Sequence, residues 1–359
     1  MQALHIGDLV LERPIIQGGM GVGVSRGKLA GAVSACGGLG VISSAQIGYD
    51  EPGFATDQWA ANKKAIQKHI TLAKEISGGK PVGINIMVAL QKYEEQVRAS
   101  VEAGVDAIIS GAGLPMRLPE YVGDSGCKIA PIVSSQKAAK IILNNWKKKF
   151  NRTADFVVIE GPKAGGHLGF STEQLETMTT AEYEEEVCNI IATVQEYAKE
   201  FNQEIPVILA GGIFDYQDIC HAFELGAQGV QIASRFVATE ECDASDAYKQ
   251  AYIQAKAEDV SIVMSPVGMP GRALNNAFIK QVKKEKQKIT KCYNCLTKCN
   301  PAEVPYCITQ ALTAAVEGDI DNGLVFVGEN VDRINRMTTV KALMDELTNE
   351  TLLSAEGCA

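Results

Sequence analysis

One histidine of the chain follows two glycines in a segment that predicts a loop. Of the four histidines, only His167 stands in such a run, AGGHLG, where Gly165 and Gly166 carry no side chain that could screen it. An imidazole can take up or release a proton near physiological pH. His167 is therefore the candidate catalytic residue. The alternative is a histidine that is only hydrogen-bonded within its loop.

Two pairs of small residues follow apolar runs further along the chain. Gly211 and Gly212 follow VILA, and Ala233 and Ser234 follow GVQI. Backbone N–H groups after the last two strands of an α/β barrel commonly bind a phosphate group. We therefore expect one phosphate site here, with tight strand-to-helix turns as the simpler alternative.

Four of the ten cysteines lie close together near the C-terminus. Cys292, Cys295, Cys299 and Cys307 have the spacing C-x2-C-x3-C-x7-C. Four thiolates so close in sequence could ligate zinc or an iron–sulfur cluster. Because the spacing matches neither common ferredoxin pattern, we expect a reduced, packed cysteine segment over the active site, with no stoichiometric metal.

Eight short apolar runs rich in β-branched residues recur over the first two thirds of the chain. Most are apolar throughout, as expected for parallel strands buried on both faces. Helical patterns lie between them, so the chain predicts an α/β fold, a (β/α)8 TIM barrel. The alternative is a doubly wound open sheet. The sequence lacks the GxGxxG motif, followed by an acidic residue, that is typical of such a sheet. The predicted strands are 14–17, 39–43, 81–87, 106–110, 128–134, 155–160, 206–210 and 228–234. The predicted helices between them are 28–36, 63–76, 93–103, 136–149, 183–201 and 216–225.

The pattern changes after residue 236. We therefore divide the chain into a barrel at 1–240 and a helical, cysteine-containing extension at 241–359 that packs on or near the active site. In the extension, helices are predicted at 246–257, 273–288, 302–316 and 340–347.

Composition and charge narrow the class of protein. The 359 residues are 46% hydrophobic and 21% charged, which is ordinary for a globular protein. A net charge of −9 argues against nucleic acid as the main partner. No apolar run approaches the length of a membrane helix, and the N-terminus lacks a signal-peptide pattern. We therefore expect a cytoplasmic protein with reduced thiols.

Several motifs, taken in order, resemble one enzyme family. IIQGGMGVGVS, GLGVISS, GINIM, AGGHLG, VILAGGI and GAQGVQIASRF are similar to sequences of the nitronate monooxygenase family. That family, once called 2-nitropropane dioxygenases, includes FMN-dependent enoyl-acyl-carrier-protein reductase II enzymes and some NAD(P)H:quinone reductases. The resemblance covers about residues 14–236 and resumes weakly at the run GMPGR, 268–272.

The resemblance implies an FMN-dependent oxidoreductase on a (β/α)8 barrel. It implies oxidation of alkyl nitronates with O2, with His167 as the active-site histidine. NAD(P)H-dependent enoyl-acyl-carrier-protein reduction, quinone reduction and a non-catalytic flavin-binding role stay open. Small-molecule substrates are implied, NAD(P)H is a possible reductant and a homodimer is an expected assembly. The implied cofactor-binding residues are Gly19, Met20, Asn85, Ser134, Gln136, Glu160, Gly165, Gly166, Gly211, Gly212, Ala233 and Ser234.

One residue departs from the family pattern. Lys163 stands where family members often have an acidic or neutral residue. If its side chain faces the pocket, it would favour an anionic substrate. The alternative is an exposed loop lysine.

Overall fold

The computed structural model describes residues 1–349, and eight of its parallel strands close into a barrel. The predicted (β/α)8 fold is confirmed, with all eight predicted strands present. Around the closed sheet the strand order is β3-β4-β5-β6-β7-β8-β10-β11. Strands β1 to β6 are Leu4–Ile6, Leu9–Leu11, Ile15–Gln17, Leu39–Ser43, Val82–Met87 and Ala107–Gly111. Strands β7 to β13 are Lys128–Val133, Val157–Glu160, Gly166–His167, Val207–Ala210, Gly229–Ile232, Val260–Met264 and Pro270–Leu274.

Thirteen α-helices are present in residues 1–349, and most of them surround the barrel. Helices α1 to α7 are Gly27–Ala35, Gln58–Ile76, Tyr93–Glu102, Leu118–Val122, Gln136–Phe150, Thr172–Thr177 and Thr180–Phe201. Helices α8 to α13 are Tyr216–Glu224, Ser234–Val237, Asp246–Ile253, Ala277–Val282, Ile308–Glu317 and Val340–Leu347. Two 3-10 helices are Ala257–Asp259 and Glu329–Arg333. No helix in this part of the chain is both long and apolar enough to span a bilayer.

Side-chain caps set several helix starts. The Asp57 carboxylate accepts the Ala60 N–H bond, so α2 begins at residue 58, earlier than the predicted 63. Thr179 and Glu182 form a reciprocal capping box that starts α7. These caps satisfy N–H groups that the helix itself leaves without partners.

The apolar side chains form three clusters. The largest fills the space between the barrel strands and the surrounding helices. A second fills the inside of the barrel, where Leu4, Ile6 and Leu11 of the β1–β2 hairpin pack against strand residues such as Val158. A third lies in the C-terminal region around Phe278 and Tyr306. Because the barrel interior is packed, a ligand can enter only at its ends.

The structure places the last helix with the barrel, which differs from the predicted boundary at residue 240. Thr239 and Thr338 form a parallel bridge, so the chain returns to the barrel where it left it. The apolar side chains of α13, including Leu343 and Met344, are buried among the barrel's core residues, and α13 packs on α1, α8 and α9. The four-residue helix α9 is too short to cover this side of the barrel. Residues 241–338 are therefore an insertion, and residues 350–359 of the predicted extension lie outside the described part of the chain.

Two predicted helices of this insertion are wrong over much of their length. The span 273–288 contains only the short α11, because residues 270–274 form strand β13, which pairs with β12 and β9. The span 302–316 becomes helical only at Ile308. The predicted helix at 340–347 matches α13, and the one at 246–257 ends at Ile253.

Candidate active site

A cavity of about 250 Å³ opens at the C-terminal ends of the barrel strands. Active sites of this fold lie at that end, because the loops after the strands converge there. Eleven of the thirteen predicted site residues line the cavity: Gly19, Met20, Asn85, Glu160, Gly165, Gly166, His167, Gly211, Gly212, Ala233 and Ser234.

Two predicted site residues do not line the cavity. The Gln136 side chain lies in the outer helical layer, where its amide donates to Asn189 O at 3.2 Å and to Thr193 Oγ1 at 3.1 Å. Gln136 opens α5, and its direction is set by packing against α7, which the sequence does not reveal. Ser134 hydrogen-bonds to the Glu160 carboxyl group, so it reaches the cavity only through that residue.

His167 is held between the barrel and the insertion. It lies on β9, which pairs with β13 in antiparallel register opposite Gly271. Its Nε2 atom is 2.7 Å from Ser265 Oγ, and its ring meets the ring of Phe326 edge-on with centroids 5.0 Å apart. Burial lowers the pKa of His167 to about 4. The imidazole is therefore neutral at pH 7 and can accept a proton or hydrogen-bond to a ligand.

Arg272, in the insertion, hydrogen-bonds to residues 162–164 of the segment that carries His167, here called the histidine loop. Its Nη1 atom donates to Pro162 O at 2.7 Å and to Ala164 O at 2.6 Å, and its Nη2 atom is 3.3 Å from Glu329 Oε2. The residue is 6% exposed, and burial lowers its pKa. A buried guanidinium that satisfies two loop carbonyls fixes the backbone that carries His167.

Ser265, Phe326 and Arg272 were missed as functional residues by sequence reasoning. The run GMPGR within the family resemblance is a signal that could have indicated Arg272. Ser265 and Phe326 are 98 and 159 positions from His167 and stand in no motif. Only the pairing of the insertion with β9 brings them to the site.

Backbone groups line the end of the cavity where the sequence predicts a phosphate site. Gly211 and Gly212 both have a φ of +90°, which only glycine adopts without strain. Asn330 Nδ2 donates to Gly212 O at 2.9 Å, and Ser234 Oγ accepts the Gly328 N–H bond at 3.0 Å. One segment of the insertion, residues 328–330, therefore fixes the turns that follow β10 and β11.

Lys163 lies at this same end. It is exposed, and a Cβ atom added to Gly212 would stand 3.1 Å from the Lys163 Cβ. Lys163 also lines the cavity, so it is an exposed residue of the pocket rim near the predicted phosphate site. The preference for an anionic substrate stays a prediction.

Glu160 contributes a carboxyl group from the end of β8. Its Oε2 atom accepts the Gly169 N–H bond at 3.1 Å, and Ser134 also bonds to it. Burial outweighs these two bonds and raises the pKa of Glu160 to about 7. The group can therefore be protonated or ionised near neutral pH.

The opposite side of the cavity suits a flat ring. A Cβ atom on Gly19 would lie 2.5 Å from the Asn85 Cβ, so glycine lets the loop after β3 approach the end of β5. A Cβ on Gly166 would meet nothing within 4 Å, and this residue has a φ of +75°. The glycine backbone and the Asn85 amide suit the ring of a flavin. The glycine turn at 211–212 suits its one phosphate group.

Comparison with known proteins identifies the family. Residues 4–350 match the family profile described as "Nitronate monooxygenase". The chain belongs to the nitronate monooxygenase family. Members of this family are oxidoreductases and are generally flavin-dependent.

Several family relatives and solved structures are similar over most of the chain. A "Probable nitronate monooxygenase" of Staphylococcus haemolyticus is 27% identical, over 96% of this chain and 95% of the relative. The structure of FabK from Thermotoga maritima is 27% identical with a TM-score of 0.72, covering 97% of this chain and 96% of that one. An octahydro-1H-indene-4-carboxyl-CoA dehydrogenase of Mycobacterium tuberculosis is 27% identical over 76% of this chain. That match spans 66% of the dehydrogenase, so this chain corresponds to about two thirds of its length. A nitroalkane oxidase of Streptomyces ansochromogenes, 19% identical with a TM-score of 0.70, shares the fold.

Proposed function

We propose that this protein is an FMN-dependent oxidoreductase that oxidises alkyl nitronates with O2. The observation that carries the proposal is the neutral His167 beside a glycine-lined cavity that fits a flavin. The family membership and the similarity to probable nitronate monooxygenases support the same reaction.

FMN is the flavin that the cavity supports best. The backbone at Gly211, Gly212, Ala233 and Ser234 offers one phosphate site, and no dinucleotide-binding fingerprint occurs in the sequence. Bound FMN would supply the electron-accepting chemistry, while the protein orients it and the substrate. Asn85 and the glycines at 165 and 166 would lie along the ring.

His167 would accept a proton from the substrate or hydrogen-bond to its nitro group. As a neutral imidazole it can accept the α-proton of a nitroalkane, or hydrogen-bond to a nitronate that has already lost it. Such general acid–base help is commonly worth ~10²–10⁴ in rate. Ser265 and Phe326 would keep the ring in one orientation.

The walls beside His167 favour a substrate with an apolar chain. Both the barrel loops and the insertion contribute apolar side chains there, and no ionisable carboxyl group other than Glu160 and Glu329 lines the cavity within residues 1–349. An alkyl group would displace water from this surface favourably. The apolar lining residues are Met87, Leu90, Val267, Leu296, Leu312 and Phe326.

Flavin analysis and oxygen consumption test the proposal together. Flavin released by heat should chromatograph as FMN, and an alkyl nitronate such as propyl nitronate should support oxygen consumption in air. A protein that binds no flavin after reconstitution, or one that holds FMN but consumes no oxygen with nitronates, contradicts the proposal.

A second candidate function is reduction of an enoyl thioester with NAD(P)H. FabK from Thermotoga maritima resembles the whole chain, and the apolar walls also suit an acyl chain. Under this alternative, His167 would help to supply a proton to the product. The two functions differ in their electron donor, so NADH and NADPH separate them. Quinones are a further class of acceptor to include with these donors.

We also propose that the protein is a cytoplasmic enzyme that acts on small-molecule substrates and forms a homodimer. The net charge of −9 disfavours nucleic acid, and the nine cysteines of residues 1–349 are all unpaired. A reducing compartment suits such thiols.

A further inference from the structure

The four clustered cysteines surround a second, smaller cavity. Its volume is about 30 Å³, which is more than one water molecule needs. Cys292, Cys295, Cys299 and Cys307 all line it, and Cys295 also lines the large cavity. The folding of residues 292–307 thus brings every thiol of the C-x2-C-x3-C-x7-C run to one space.

A backbone N–H group donates to one of these sulfurs. The Asn294 N–H donates to Cys292 Sγ, with N and S 3.3 Å apart. Cys307 is the N-cap residue of α12, but its sulfur makes no capping hydrogen bond. An N–H donor to sulfur is typical of ligating cysteines.

The surrounding backbone lacks regular secondary structure and is held by apolar contacts and by hydrogen bonds to the barrel. Residues 283–307 contain no helix and no strand in the described structure. An ordered stretch of this length without secondary structure is uncommon inside a compact domain. Its ties to the barrel include the Gln91 N–H bond to Cys295 O at 2.9 Å and the Thr297 N–H bond to Ala89 O at 3.0 Å. A group that joins four thiols would fix the segment.

Within residues 1–349 the four thiols line one cavity but are not gathered for a single ion. A tetrahedral zinc site would bring its four sulfurs to about 3.8 Å from one another. Within residues 1–349, no three histidine, cysteine or carboxylate side chains stand close enough to ligate one metal ion. In a cubane cluster each thiolate binds a different iron, so the sulfurs lie further apart around a shared space.

We propose that Cys292, Cys295, Cys299 and Cys307 together bind one [4Fe–4S] cluster. The sequence spacing alone predicted the opposite, a reduced segment with no stoichiometric metal. Lys291 and Lys298 adjoin the ligands in sequence and would offset the net negative charge of a cluster with four thiolates. Since Cys295 lines both cavities, the cluster would form part of the wall of the active-site cavity. The proposal does not depend on the reaction assigned to that cavity.

Metal and sulfide analysis tests the site directly. The full-length protein is purified without oxygen, reconstituted with ferrous iron and sulfide, and desalted. We expect about four irons and about four acid-labile sulfides per chain, and an iron–sulfur electron paramagnetic resonance signal after reduction. About one zinc per chain as isolated, or no retained iron after reconstitution, would overturn the proposal.

Matched cysteine variants assign the ligands. C292S and C299S should lose most of the iron and the resonance signal while they retain flavin, which reports that the barrel is folded. Cys188 is exposed on α7, so C188S should keep the full iron and sulfide content. Equal iron in C188S and C292S would overturn the assignment. Should the serine variants fail to fold, the stoichiometry and the resonance signal of the unmodified protein still decide between a cluster and its absence.

Discussion

His167 Nε2 and Ser265 Oγ are 2.7 Å apart, although the two residues belong to different parts of the chain. His167 lies on the short strand β9, in the segment that follows the barrel strand β8, and Ser265 follows β12 in the insertion. The same serine oxygen accepts the Val267 N–H bond at 3.3 Å, so its own position is fixed locally. The insertion therefore completes the active site, because it supplies the partner that orients the proposed catalytic imidazole.

Replacing His167 by asparagine should remove catalysis and leave the fold and bound flavin intact. The H167N rate toward a neutral nitroalkane should fall by ~10²–10⁴, because the base is gone. A nitronate should be affected less, since it has already lost its proton. Steady-state kinetics with both substrates and the flavin content of the purified variant check this. Loss of flavin or unfolding would mean that His167 has a structural role. Normal turnover of both substrates would mean that it takes no part in catalysis.

Ser265 should act as a positioning residue. S265A removes one hydrogen bond, worth about 0.5–1.5 kcal/mol, so kcat should fall by roughly 2- to 13-fold with flavin content unchanged. S265T retains a hydroxyl group and should recover part of the loss. The comparison needs kcat and KM for both variants. If S265A and S265T lose the same activity, the hydrogen bond does not matter.

Glu160 should be the group that titrates near pH 7. Its pKa is raised to about 7, so the folded protein binds more protons than the unfolded chain between pH 4.5 and 7. The free energy of unfolding of the unmodified protein should therefore fall, relative to that of E160Q, as pH rises through this window. Above pH 7 the difference should be constant. Denaturant titrations at several pH values measure it, and a difference that grows in the opposite direction would contradict the assignment.

The pH dependence of kcat/KM distinguishes the titration of Glu160 from that of His167. Since the pKa of His167 is lowered to about 4, the imidazole stays neutral across pH 6 to 8. Any step in kcat/KM near pH 7 should disappear in E160Q. A step that persists there would show that His167 itself titrates near neutrality.

Gly212 should be required for retention of the phosphate group of the cofactor. G212D places a carboxylate where the phosphate would lie and should abolish flavin retention. G212A shares the strain at a φ of +90° but adds no charge, so it is the matched control. Flavin absorbance per chain should be lost in G212D and retained at least in part in G212A. Full retention in G212D would place the phosphate elsewhere.

Arg272 should hold the histidine loop in place. R272M loses the bonds to Pro162 O and Ala164 O, and two carbonyls are left without that partner. Unfolding free energy should fall by about 2–4 kcal/mol. K63A, which loses an exposed pair with Glu102, should change it by no more than about 0.5 kcal/mol. Similar values for the two variants in urea titrations would contradict a structural role for Arg272.

The barrel could be predicted from the sequence because its strands are short, continuous apolar runs. Strands such as Val82–Met87 and Lys128–Val133 are buried on both faces, so local composition alone indicates them. Strand β13 was missed because residues 273 and 274 were assigned to a predicted helix, and the strand exists only through its pairing with β9 and β12. Long-range pairing of this kind leaves no local signal.

The same distinction applies to the site. Gly211, Gly212 and His167 could be found because glycine-rich turns and a loop histidine are visible in one short stretch. Gln136 was misplaced because its direction depends on packing between α5 and α7. Ser265 and Phe326 could not be found at all, since each is an ordinary residue until the insertion folds over the barrel.

The most direct test of the proposed function is a set of anaerobic mixing experiments that follow the flavin absorbance. The purified yellow protein is mixed in turn with propyl nitronate, propionate 3-nitronate, NADH and NADPH, and the spectrum is recorded after each addition. We predict that propyl nitronate changes the flavin spectrum without any added nucleotide. A spectrum that is unchanged by either nitronate but fully bleached by NADH or NADPH would contradict nitronate oxidation and assign the protein to the NAD(P)H-dependent reductases.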